Sequence, residues 1–437
     1  MPSLLDLLSQ SETWEKFYAY KTSLACPSQF TKELRGFIDT EKYLPVCRRI
    51  QDGTPFPLPQ KSIISKMSTQ KKRTVYTYPH AENTVLKLLT YLLLRRYDSL
   101  FCDNLFSFRP GKSAKTALHK LQRIPGLSHK YSYKVDVSNY FNSIPVEKLL
   151  PELARVTADD PALYSFLKAL LEEPYVSEQC HPVSKMLREN PQANSATSLH
   201  ISHNNDYDAE ISPSKLRAIR EQKGIMAGTP LASFYANLYL RDLDQLFFDQ
   251  GIPYARYSDD IIVFGDSMEE VQRHADTIRS FLRAKELTVN PSKEEFRTPE
   301  EGFVFLGFFQ KGKTIDIAPA SVKKLKQKMR RKARALQRWQ KRNGLTGEKS
   351  ARAFIRIFNR KLMESSGDND LTWSYWYFSV INTSESLHVI DLYAQECIRF
   401  LLTGTHSKSR YNARYEDLKR LGYQSLVHAY YSSELQP

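Results

Sequence analysis

Residues 256–264 read RYSDDIIVF. Two carboxylates stand side by side, and the next four residues are apolar, so the pair sits at the mouth of a segment suited to burial. Like charges at that range repel, and burial raises the cost of ionising both. A divalent cation at the turn would remove the conflict, and so would an exposed surface turn. An Asp-Asp turn alone does not choose between them, and the rest of the chain has to.

The charge balance narrows the choice. The 437 residues carry 63 Lys and Arg against 48 Asp and Glu, a formal net charge of +15. An excess of that size favours a polyanionic partner, nucleic acid first and an anionic membrane second. At 41% hydrophobic residues the chain can bury a sizeable core, and its length suits two or three domains. The most apolar stretch, TVLKLLTYLLL, is broken by Lys87, followed by Arg95 and Arg96, and is too short to span a bilayer. No membrane partner is expected. The N-terminus lacks a basic leader, which argues against a secretory signal. The five cysteines are Cys26, Cys47, Cys102, Cys180 and Cys397. They are scattered and never spaced C-x-x-C, which argues against a disulfide framework or a zinc site and for reduced thiols in the cytoplasm.

Periodicity gives an outline. Residues 1–60 read as a helical extension that turns irregular and ends at PFPLP. KRTVYTYP at 72–79 reads as a strand or hairpin arm, residues 81–100 as a helix, and FSFRPGKSA at 106–114 as a turn into a further helix. YSYKVDV at 131–137 alternates as a strand does. A mixed helical region covers 146–188. The Asn- and Ser-rich segment 189–214 reads as a polar surface insertion. A strand pair is expected around 254–264, an amphipathic helix over MEEVQRHADTIRSFLRAKEL, and one buried strand at FVFLGFFQ, 303–310. From about 320 the tail reads as helical, with an apolar seam of Val322, Leu325, Met329, Ala333 and Leu336. Around that seam lie eight basic residues from Lys323 to Arg334 and no acid, a pattern that favours phosphate contact over a merely solvated face.

Asp136, ending the strand YSYKVD, joins Asp259 and Asp260 as candidate ligands. Three carboxylates on neighbouring strands suit two magnesium ions, which complete their octahedra with water and phosphate. Two such ions can stabilise both ends of an in-line phosphoryl transfer.

With these pieces in order the chain resembles a bacterial reverse transcriptase related to the enzymes of group II introns and retrons. Its character is nearest the free-standing unknown-group or abortive-infection forms used against phage. Tyr257-Ser258-Asp259-Asp260 matches the Y-x-D-D turn, and Asp136 with Tyr140 and Phe141 the first palm motif. GIMAGTPLASFYANLYL at 224–240 matches the segment between them, LTVNPSKEEF at 287–296 the fourth motif, and FVFLGFF at 303–309 the primer grip. KRTVYTYP and FSFRPGKSA are similar to the fingers motifs.

The resemblance implies an α+β right-hand polymerase. Fingers would cover 61–223, including the first palm strand at 131–145 and the insertion at 189–214. The palm would cover 224–312 and a helical thumb 313–437. It implies RNA-directed addition of deoxynucleotides with two Mg2+, Mn2+ being able to substitute. The metal set would be Asp136, Asp259, Asp260 and the Val137 backbone. Lys72, Arg73 and Arg109 would meet the dNTP triphosphate, Phe141 would exclude a 2′-hydroxyl, and Gly228 would let backbone approach the nascent base pair. Lys293 would donate a proton to pyrophosphate. Tyr257, Leu306, Gly307, Lys326, Arg330 and Arg334 would hold primer and template, and Asn237 would be a helix-borne hydrogen bonder. Partners would be an RNA template, by analogy a dedicated non-coding RNA, and the DNA product, with room for a second copy of the chain or a partner protein. Ala227 stands where the family usually has Gln, and Ala232-Ser233 where it has Ser-Pro, which puts broad template use in doubt. An RNA-dependent RNA polymerase, a template-independent or protein-primed DNA synthesiser, and a non-catalytic RNA-binding scaffold are the rival readings.

Overall fold

The computed structural model describes residues 2–24, 28–65, 72–179, 216–363, 373–407 and 409–433. The polar segment 189–214, Cys26 and Cys180 lie outside them. In chain order the strands are β1 (Gln60–Ser65), β2 (Lys72–Thr77), β3 (Tyr131–Asp136), β4 (Tyr175–Gln179), β5 (Leu216–Arg220), β6 (Tyr254–Tyr257), β7 (Asp260–Gly265), β8 (Glu295–Arg297), β9 (Phe303–Phe305), β10 (Phe308–Lys311) and β11 (Thr314–Ile317). The chain divides into two compact units, one of residues 1–10, 42–92 and 141–236, the other of 11–41, 93–140 and 237–437. Among the described residues no helix is long and apolar enough to cross a membrane. Cys47, Cys102 and Cys397 are buried free thiols.

The first unit holds a sheet ordered β2-β1-β4-β5, antiparallel except for the β1–β4 pair. Helix Pro161–Glu172 starts where the sequence signals it, with proline at its first position and Asp160 accepting from the Leu163 amide. The same carboxylate accepts from Ser3 Oγ and the Leu4 amide, tying the short N-terminal helix Leu4–Leu7 to this one. Near the other end of Pro161–Glu172, the buried Lys223 ammonium donates to Leu170 O at 3.5 Å. A cation there complements the negative end of the helix dipole.

Two tight backbone contacts shape residues 224–228. Gly224, at φ +54, is so close to its neighbours that a Cβ would lie 2.6 Å from Phe141 O. Gly228, at φ +103, would place one 2.9 Å from Tyr76 O in β2. The glycine at 228 is therefore already required by the chain's own strand.

The second unit holds the antiparallel sheet β6-β7-β3-β8. β7 is an inner strand, buried at every position from Ile261 to Gly265, so its sequence is a continuous apolar run instead of an alternation. Helix Met268–Ala284 packs on β3 and β7. Ser267 caps it by accepting from the Glu270 amide, and it buries Val271, Ala275, Ile278 and Leu282. FVFLGFFQ is a correction. It is a hairpin, β9 and β10 joined through Leu306 and Gly307, both at positive φ, and β11 completes a three-stranded sheet. Positive φ at both central residues is the turn geometry that matches strand twist, and an apolar run with a single glycine conceals it. Helices Pro319–Arg342, Gly347–Leu362 and Glu385–Thr403 pack on one another. Their shared core takes Val322, Met329, Ala333 and Leu336, with Leu325 partly buried against it. The aromatics at 373–378 mostly join that core, with Tyr377 and Phe378 buried.

Arg109 is a further correction. It is 8% exposed, and its guanidinium donates to both Asp98 carboxylate oxygens and to the Cys102 and Leu105 carbonyls. A fork so fully used holds the 98–109 loop together and is not laid open to a triphosphate.

Two expectations follow. Arg109→Met strands the carbonyls and Asp98 and should lower stability by about 2 kcal/mol, while KM for dNTP per folded molecule stays unchanged; a raised KM at unchanged stability would return Arg109 to the nucleotide. Burial pushes the Lys223 amine down to about 8, with Glu173 opposing. The unfolded chain therefore binds more protons above that pH. Thermal unfolding should show wild type gaining on Lys223→Met as pH rises from 8 towards 10.5; parallel curves would mean the amine titrates normally.

Candidate active site

β3 ends at Asp136 and β7 begins at Asp260, and the two are direct partners in the antiparallel register. Directly opposed residues have Cβ atoms about 5 Å apart. β6 ends at Tyr257, paired with Asp260, so Ser258 and Asp259 form the two-residue turn between them. Past β3 the chain stays clamped: the Val137 amide donates to Asp259 O at 3.1 Å, and Ser138 and Asn290 exchange backbone bonds with Thr288 and Asp136. The second unit thus brings Asp136, Val137, Asp259 and Asp260 together from two sequence regions more than a hundred residues apart.

Lys293 joins them. Asn290 caps the turn Pro291–Lys293, and the Lys293 ammonium lies 2.5 Å from Asp136 Oδ2. The electrostatics carry the mark of crowding. Burial, opposed by Lys134 and reinforced by Asp259 and Asp136, pushes the Asp260 carboxyl up to about 6. An acid so raised ionises near neutral pH at a cost that a nearby cation would lower.

Among the described residues no three or more His, Cys, Asp or Glu are gathered into a group that could hold a metal ion by themselves. Magnesium needs no such group, since water and substrate phosphate supply most of its ligands. The hard oxygen donors opposed across β3 and β7 fit that demand.

The other expected site residues are distributed as follows. In the first unit Lys72 and Arg73 open β2 and are exposed. Phe141 is half-buried, its carbonyl accepting from the Ile225 amide at 2.9 Å. Next to it, Asn142 Oδ1 accepts from the Ala227 amide at 3.2 Å. In the second unit Tyr257 is half-buried at the end of β6, and Leu306 and Gly307 make the β9–β10 turn, with Gly307 O accepting from the Ala318 amide. Lys326, Arg330 and Arg334 recur every fourth residue along helix Pro319–Arg342. Lys326 and Arg330 line a groove of about 460 Å³ with Lys323, Val389 and Tyr393. The Lys326 ammonium stands 4.8 Å from the Tyr393 ring centroid.

Three residues beneath the turn escaped the sequence reading. Arg256 and Asp244, 0% exposed, form a buried ion pair, and Ser107, also buried, accepts from the Ser258 amide. A signal existed for the first: an arginine inside YARY, a buried strand, demands an acid. Nothing local points to Ser107. Asn237 is the helix-borne hydrogen bonder expected, donating to Ser107 O at 2.8 Å.

The solved structures to which the chain is similar include two telomerases at low identity. One is apo telomerase of Candida tropicalis truncated from its C-terminal domain, at 10% identity and TM-score 0.43, covering 60% of this chain and 55% of that one. The other is telomerase of Candida albicans in complex with a fragment of telomeric RNA, at 12% identity and TM-score 0.37, covering 86% and 64%. The chain spans less than two thirds of either. No curated protein sequence matches. The model of the family described as "Reverse transcriptase (RNA-dependent DNA polymerase)" matches residues 64–309, more than half of the chain and every carboxylate of the site, and the chain belongs to that family.

Proposed function

We propose that this chain extends a primer or priming hydroxyl with deoxynucleotides on an RNA template, using Mg2+. The observation that carries the reading is Asp136 directly opposite Asp260, with Asp259 on the adjoining turn. Those carboxylates, with the Val137 carbonyl, would hold divalent cations, which when bound offset charge on the attacking and leaving oxygens. The chain's own groups do the rest. Lys72 and Arg73 take the triphosphate, and the Phe141 ring excludes a 2′-hydroxyl. Lys293 Nζ carries a proton for the departing pyrophosphate oxygen. Tyr257 and the Leu306–Gly307 turn steady the primer end.

We further propose that the template is a dedicated non-coding RNA and that the setting is anti-phage defence in the cytoplasm of a bacterium. The support is the resemblance together with Ala227 and Ala232-Ser233, where the family's template-side residues are absent. The basic stripe of Lys326, Arg330 and Arg334 would track the duplex backbone, since among the described residues of that helix no acid accompanies it.

Primer extension on an RNA template, with deoxy- and ribonucleotides compared, tests the reaction. Asp259→Ala with Asp260→Ala should abolish synthesis and leave RNA binding nearly intact. A double variant that still extends primers would remove these carboxylates from the chemistry, and preferential ribonucleotide use would make the enzyme an RNA polymerase. Phe141→Ala should relax sugar discrimination by about tenfold or more; an unchanged ratio would leave the ring as packing. Neutral substitutions at Lys326, Arg330 and Arg334 should flatten the salt dependence of nucleic-acid binding by up to about three in log–log slope, and a slope equal to wild type would take the stripe out of the interface. Sequencing the RNA that copurifies with the chain should return one dominant species, and a random transcript pool would overturn the dedicated template.

A further inference from the structure

Ser258 sits at φ +61 between Tyr257 and the two turn carboxylates. A residue with a Cβ in that region is strained by about 1 kcal/mol or more and persists where its surroundings over-determine it. Both backbone groups of Ser258 are held. Its amide donates to Ser107 Oγ at 2.9 Å, and its carbonyl accepts from Arg256 Nη1 at 3.2 Å.

Each holder is itself held. Ser107 Oγ donates to Asn237 Oδ1 at 3.0 Å, and Asn237 Nδ2 returns a bond to Ser107 O at 2.8 Å. Arg256 donates Nε to Asp244 Oδ1 at 2.8 Å and Nη2 to Asp244 Oδ2 at 2.5 Å, with a further bond from Nη2 to Asn237 O. Tyr254 OH donates to the same Asp244 oxygen as Nε. Ser107, Asn237, Asp244 and Arg256 are all 0% exposed. The 104–107 loop is laced along β6 by bonds from the Arg256 amide to Asn104 O and from the Phe106 amide to Arg256 O, both 3.0 Å.

A buried ion pair is a poor way to gain stability, because well-packed apolar residues of similar volume often do as well or better. An apolar pair cannot aim a carbonyl. We propose that Arg256, Asp244, Ser107 and Asn237 form a positioning device that holds Ser258 in its strained conformation and so presents Asp259 and Asp260 to divalent cations. The four are positioning residues: each acts through the turn, and none touches the reacting atoms. The inference rests on the assignment of those aspartates as cation ligands.

The test uses the full chain and Mn2+ alone as probe, with free Mn2+ read by electron paramagnetic resonance without nucleotide or primer. Ser107→Ala removes the acceptor for the Ser258 amide at little cost in volume. Arg256→Lys keeps the charge but cannot span Asp244 and Ser258 O together. Ser107→Thr keeps the hydroxyl. Thermal unfolding and steady-state extension accompany each titration. For Ser107→Ala and Arg256→Lys, Mn2+ should bind about tenfold or more weakly and kcat should fall by a similar factor, with primer–template KM within about twofold. Ser107→Thr should restore both. Mn2+ affinity equal to wild type in folded Ser107→Ala or Arg256→Lys overturns the proposal, as does a kcat that falls only with the folded fraction. Should both variants fail to fold, Ser107→Thr decides alone: folded, with wild-type unfolding temperature and wild-type Mn2+ affinity, it sustains the role of the hydroxyl, and folded with weakened affinity it overturns it. Wild type that binds no Mn2+, or Asp260→Asn that binds it as tightly as wild type, would instead overturn the metal assignment beneath the inference.

Discussion

The second unit turns on a repulsion. Asp136 and Asp260 face each other across two antiparallel strands, with Asp259 on the adjoining turn. Such a meeting is costly in a sheet. The surrounding structure keeps it in place with the buried apolar run of β7, backbone bonds past the end of β3, and ammonium groups at Lys134 and Lys293. Little of this makes the fold more stable. It makes sense as a holder for cations, and the family to which the chain belongs needs such a holder.

The carboxylates were legible because their demands are local. A strand ending in Asp and an Asp-Asp turn ahead of IIVF can be seen in a line of text, and the register of β3 and β7 then brings them together. The apolar seam of helix Pro319–Arg342 was legible for the same reason, since helical spacing is a property of one segment. Where the reading failed, the deciding contact was distant or hidden in backbone angles. The resemblance placed Arg109 at the triphosphate, but Asp98 and two carbonyls claim its guanidinium. FVFLGFFQ hid a hairpin because two positive φ values leave almost no trace in an apolar run. Ser107 was invisible because its importance arises from Ser258, about 150 residues further on.

The two units differ in what fixes their candidate residues. Around Asp259 the turn is fixed by side chains, an arginine, an aspartate, an asparagine and a serine. Around Phe141 and Ala227 the chain is fixed by backbone packed on backbone, with Gly224 against Phe141 and Gly228 against Tyr76, and by the Asn142 side chain on the Ala227 amide. The first arrangement depends on which side chains are present. The second tolerates no added atoms at the glycines.

The anchoring of that segment has a consequence at Ala227. Its amide is bound to Asn142 Oδ1 and its carbonyl to the Tyr76 amide, so both main-chain groups are anchored without help from its methyl. The identity of the residue is thereby decoupled from the path of the chain. A different side chain can therefore stand at that half-buried position while the scaffold stays as it is.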